Sequence, residues 1–133
     1  MTKQILIICL TMGVLLLSSL TGCNGANQSK GAAAAIESYL QALVARDLNQ
    51  MTNASCAAWE SQAKVEFDSF AAVKLELKDL ACKEVGQDND FTLVSCTGSI
   101  IANYGAEDLE IDIAERAYKT IQEGGEWRMC GYK

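Results

Sequence analysis

The feature that most constrains the fold is a change of hydrophobic period near Ala71. Before it, apolar residues recur every three or four positions; after it, they alternate with polar ones. From Gly31, the residues Ala35, Ile36, Tyr39, Leu40, Leu43 and Val44 lie on one helical face, with Glu37, Gln41 and Arg46 between them. Asn27 or Ser29 is the candidate cap. Asp47 to Met51 reads as a tight break or a short helical turn. Thr52 or Asn53 then caps a second helix, on which Cys56, Trp59, Ala63 and Phe67 or Phe70 share a face. Beyond Ala71, Val73, Leu75 and Leu77 alternate with Lys74, Glu76 and Lys78 as in a half-buried strand. The phase slips near Asp79, as a β-bulge requires, and resumes at Leu80 and Cys82. A second strand runs from Phe91 to about Tyr104, and a third from Leu109 to about Gln122. Glu123-Gly124-Gly125-Glu126 is a hairpin signal, and Trp127 to Tyr132 is the fourth strand. Helices followed by an antiparallel meander define an α+β domain, with the N-terminal helices packed on a four-stranded sheet.

The N-terminus is of a different character. Lys3 precedes an apolar run from Ile5 to Leu17 broken only by Thr11 and Gly13, and Ser18-Ser19-Leu20-Thr21-Gly22-Cys23 follows. A short basic start, an apolar stretch and small residues before a cut site make a secretory signal. A membrane-spanning helix needs roughly 20 apolar residues, more than this run supplies. Leu20-Thr21-Gly22-Cys23 resembles the lipobox of bacterial lipoproteins. The resemblance implies cleavage before Cys23, acylation of its sulfur, and a membrane anchor, since two or three acyl chains hold a protein where one does so only marginally. The chain thus divides into a signal peptide (1–22), a lipidated cysteine with a short tether (23–30) and an α+β domain (31–133). The location this implies is extracytoplasmic. In a diderm cell with the usual lipoprotein sorting machinery, the resemblance implies that Asn24 after the lipid cysteine sends the protein to the outer membrane; in a monoderm cell it implies an anchor in the cell membrane.

Removing the signal leaves 111 residues, enough for one domain. All 17 acidic residues and 10 of the 11 basic ones lie beyond residue 22, giving that part a formal charge of −7. An acidic domain excludes nucleic acid as a natural partner, because such partners require basic patches. With Cys9 in the signal and Cys23 lipidated, Cys56, Cys82, Cys96 and Cys130 remain. An even set in an exported domain reads as two disulfides. Zinc is disfavoured, since the gaps contain no C-x-x-C and the chain has no histidine. Cys82 and Cys96 flank the turn-rich Gly86-Gln87-Asp88-Asn89-Asp90, so a hairpin centred near Asn89 sets them opposite each other. Cys56 is then left to pair with Cys130.

Three stretches carry a second resemblance: Ala34 to Asp47 (AAIESYLQALVARD), the helix around Trp59, and the closing GEWRMCGY from Gly125 to Tyr132. Together they look like a small nuclear transport factor 2-like (NTF2-like) domain, more narrowly the short NTF2-like lipoproteins of bacteria; a cystatin-like helix-on-sheet domain gives a similar trace. The resemblance implies a concave sheet under the helices, lined by Leu75, Leu77, Ile111 and Ile113, with Tyr39, Tyr104, Tyr118 and Trp59 as candidate pocket residues. It also implies a non-catalytic module that binds a small apolar molecule or another envelope protein, with no cofactor and no metal. The alternative is an isomerase- or cyclase-type enzyme. Without histidine, its acid–base chemistry would fall to Asp47, Tyr39, Tyr104 and Tyr118. The family's catalytic residues have no recognisable counterpart here, so no catalytic residue is assigned.

Overall fold

The computed structural model describes residues 31–133. The signal peptide, Cys23, the tether and the candidate caps Asn27 and Ser29 lie outside the described residues. Residues 31–133 fold as three helices followed by an antiparallel sheet: α1 (Ala32–Ala45), α2 (Leu48–Asn53), α3 (Glu60–Ser69), β1 (Lys74–Asp88), β2 (Phe91–Asn103), β3 (Asp108–Asp112), β4 (Ala117–Glu123) and β5 (Glu126–Tyr132). Among the described residues no helix is long and apolar enough to cross a membrane.

Helix α1 opens with four alanines, the strongest helix formers, and buries Ala32, Ala35, Ile36, Tyr39, Leu40, Ala42 and Leu43 along one face. It ends where Arg46 turns left-handed (φ 59°) and its N–H reaches the carbonyls of Ala42 and Leu43. The Arg46 guanidinium donates to the Phe67 carbonyl at 2.6 Å and stacks 3.8 Å from the Phe67 ring centroid, tying α1 to α3. Asp47 caps α2 by accepting the Gln50 N–H at 2.9 Å.

The second helix begins later than the sequence suggests. Thr52 and Asn53 finish α2, and α3 starts only at Glu60. The intervening chain is claimed by β5. The Cys56 N–H donates to the Met129 carbonyl and the Met129 N–H to the Ala54 carbonyl, both at 2.7 Å, leaving Ser55 in a parallel bridge with Met129. Backbone groups committed to a strand edge cannot also form helical bonds.

The sheet has five strands where four were expected. Their order is β1-β2-β4-β5, and β3 also pairs with β2. The expected third strand is two segments, because β3 pairs with Ser99–Asn103 and β4 with Thr92–Ser95. Between them, 113–116 face only 96–98, one residue too many for a continuous ladder. The slip expected near Asp79 is present: the β1–β2 register shifts between Lys78 and Ala81, with Asp79 at φ 51°. Helix α1 covers the inner face of this sheet, and the core joins Ile36, Tyr39, Leu40 and Leu43 to Leu75, Val94, Ile100, Ala102, Tyr118 and Met129. Disulfides Cys82–Cys96 (Cα–Cα 4.0 Å) and Cys56–Cys130 (Cα–Cα 5.2 Å) staple the first hairpin and the α2–α3 link. They are the pairs read from the spacing.

Candidate functional site

The densest polar grouping lies where α1, α3 and the end of β5 meet, around the carboxylate of Glu66. Tyr39, wholly buried on α1, and Tyr132, closing β5, both donate their phenol O–H to Glu66 at 2.6 Å, one to each carboxylate oxygen. The Trp59 indole N–H donates to the Tyr39 hydroxyl at 3.2 Å. Around this core the Trp59 and Tyr132 rings meet edge to face (centroids 5.5 Å) and the Tyr118 ring lies 5.3 Å from Tyr132. The Arg116 guanidinium sits 4.8 Å from the Tyr132 ring centroid. Gly131 lies against the Trp59 ring, and its backbone at φ +123° is a conformation that favours glycine.

Three of the four candidate pocket residues, Tyr39, Trp59 and Tyr118, therefore come together, but they form a packed knot. Tyr39 and Tyr118 are 0% and 1% exposed. Tyr104 is elsewhere, 57% exposed in the turn between β2 and β3. Asp47 lies apart from the knot, and its carboxylate is occupied in capping α2. Two members escape sequence reading, Glu66 and Tyr132. Glu66 follows Trp59 by seven positions and Ala63 by three, the spacing of the buried face of α3.

The phenols of this knot resist ionisation. Burial, reinforced by the negative Glu66 beside them, holds Tyr39 and Tyr132 far above the ordinary tyrosine range. Burial pushes Tyr118 up to about 12, against the opposing pull of Arg116. Because the folded values exceed the unfolded value of about 10, the stability linked to these protons is complete below pH 10. It is lost as pH rises, across the window from about 10 to about 12 for Tyr118 and further for the other two. In an alkaline titration the phenolate absorbance of these three residues should rise together with loss of far-ultraviolet circular dichroism. Ionisation of all three with the fold intact would refute the arrangement.

Elsewhere, a shallow open groove of about 210 Å³ is lined by Lys74, Leu75, Glu76, Ile101, Asn103 and Asp108. None of the candidate pocket residues borders it. No cluster of metal-ligating side chains occurs among the described residues.

No family model matches the chain, and no curated protein matches it. Among solved structures, the chain is similar to the helical cell shape determining protein Pgp2 from Campylobacter jejuni, at 12% identity and a TM-score of 0.49, over 75% of this chain and 38% of that one. It is also similar to a SEC-C motif containing protein from Rhodopseudomonas palustris, at 11% identity and a TM-score of 0.47, over 77% of this chain and 78% of that one. The match thus spans well under half the length of the Campylobacter chain.

Proposed function

We propose that this is a lipid-anchored protein of the bacterial cell envelope whose small NTF2-like domain is non-catalytic and binds another envelope protein. The observation that carries the reading is Leu20-Thr21-Gly22-Cys23 directly after the apolar run. A protein partner is favoured over a small apolar ligand because side chains fill the space under the helices. Tyr39, Ile36, Leu43, Met51, Met129 and Val94 are all fully buried there. The acid–base alternative is left with Glu66 as its best group, and both oxygens of that carboxylate already accept phenols packed into the fold.

The anchor is tested by comparing the native chain with Cys23→Ala. The native protein should reach the membrane fraction as a mature form beginning at residue 23, heavier than its sequence by the mass of its acyl chains. The variant should accumulate uncleaved and unacylated. A native protein of unmodified mass would overturn the reading.

A further inference from the structure

Strand β3 has one bare edge, and its residues specify what fits there. Among the described residues it pairs only with β2. The phase of that ladder is set by the Ile113 N–H donating to the Gly98 carbonyl at 3.3 Å and the Tyr104 N–H donating to the Glu107 carbonyl at 2.9 Å. Bonded positions alternate along an antiparallel ladder, so Leu109 and Ile111 bond to β2. The N–H and C=O groups of Asp108, Glu110 and Asp112 therefore point the other way. Beside β4 that row is filled by β5, which ends with Tyr132 opposite Tyr118 and the Lys133 N–H on the Ala117 carbonyl. No described residue continues it alongside β3.

The two faces at this edge differ in chemistry. On the outer face stand Asp108, Glu110 and Asp112, all exposed, and no lysine or arginine among the described residues forms an ion pair with them. Their side-chain partners are neutral: Asn103 donates to Asp108 at 2.6 Å, Ser99 to Glu110 at 2.7 Å, and the Ala114 backbone N–H to Asp112 at 2.7 Å. On the inner face Leu109 is 52% exposed and Ile111 half-buried.

We infer that β3 is a docking edge for an extended segment of a partner protein in which cationic and apolar residues alternate. Added as a strand, such a segment satisfies the free backbone groups. It also sets lysine or arginine across from Asp108, Glu110 and Asp112, and apolar side chains against Leu109 and Ile111. A second copy of β3 is a poor occupant, since it would oppose carboxylate to carboxylate. The edge also lies away from the start of the described residues. The first of these, Gly31, sits beside Glu84, and Glu84 pairs with Val94. The β3 pairing is centred on Ile101, roughly 20 Å further along β2 at the usual rise per residue. The inference deepens the partner-binding reading and rests on it.

The test uses the full exported protein in detergent and a short capped peptide of alternating lysine and valine, read by residue-resolved amide hydrogen exchange. Exchange at Asp108, Glu110 and Asp112 should slow by about tenfold with the peptide and be unaffected by a glutamate–valine peptide. Glu110→Pro removes an outward N–H at an edge, where proline is tolerated, and should abolish the effect. Glu110→Lys, which leaves the backbone intact, should weaken it. Absence of protection at saturating peptide, or equal protection by both peptides, would overturn the inference. Protection confined to another surface would overturn the edge and leave partner binding standing. Protection that grows with protein concentration alone would identify a second copy as the occupant instead.

Discussion

Replacing Cys56 and Cys130 together by serine should lower the free energy of unfolding by about 4 kcal/mol, against about 3 kcal/mol for the Cys82–Cys96 pair. The difference follows from separation along the chain, 74 residues for the first bridge and 14 for the second. A cross-link restricts the unfolded chain more when the loop it closes is longer. The first bridge also fixes the α2–α3 link covalently against β5. Ala54–Cys56 reaches β5 through a pair of backbone hydrogen bonds, and α3 beyond it buries only Ala63 completely. For a domain whose whole stability is roughly 5–15 kcal/mol, this loss is a large fraction. Urea titration of the two double variants beside the native protein reads it from the free energies extrapolated to water, each with its own slope, because an unfolded chain freed of a cross-link exposes more surface. Near-ultraviolet spectra at low temperature should stay native, because Trp59 keeps its bond to Tyr39. A cost for the Cys56–Cys130 pair below that of the hairpin bridge would show that the loop argument fails here.

What the sequence discloses about this fold depends on how local the determining interaction is. The α+β division, α1 and the slip at Asp79 were legible because each is written in the spacing of neighbouring residues. The break between β3 and β4 is written there too, but faintly. Ile113 is buried at an odd position, Tyr118 and Thr120 at even ones, and Ala114-Glu115-Arg116-Ala117 lies between without strong pattern. Reading that stretch as one strand missed the parity change. Helix α2 is too short for a period to register in six residues, and its sign is the Asp47–Gln50 cap. Cys56, Trp59 and Ala63 do have helical spacing, and the misplaced start of α3 comes from hydrogen bonds to Met129, far off in sequence. Glu66 shares the spacing of Trp59 and Ala63, but its role was hidden for the same reason. Its phenol donors lie 27 and 66 positions away, and a carboxylate in a pattern is read as solvent-facing until its partners are known. Tyr104 carried the opposite error. An aromatic at a strand end was assigned to the interior, whereas the Gly105 turn (φ 94°) leaves it outside.

Gly98→Ala should cost about 3 kcal/mol, the largest loss expected from removing a glycine among the described residues. Gly98 occupies the point on β2 where two irregularities face each other. On one side is the β1 bulge at Asp79; on the other is the extra residue in 113–116, entered through the bond from the Ile113 N–H to the Gly98 carbonyl. The residue adopts φ +104°, and a β-carbon there would stand 2.3 Å from the Lys78 carbonyl oxygen and 2.7 Å from that of Asp79. Both neighbours are backbone, so no rotamer change relieves the contact; the bulge itself must shift. That would weaken the pairing of β1 with β2 around the position that seats Ile100 and Leu77 side by side. Gly124→Ala separates crowding from backbone strain. Gly124 also has positive φ (+60°), but a β-carbon there would meet nothing within 4 Å, so about 1 kcal/mol is expected. If the two variants unfold at the same denaturant concentration, the contact with Lys78 and Asp79 is relieved at no cost and the sheet does not depend on glycine at its bend. A gap of about 2 kcal/mol would mean that the close approach of β1 and β2 at this bend admits no side chain.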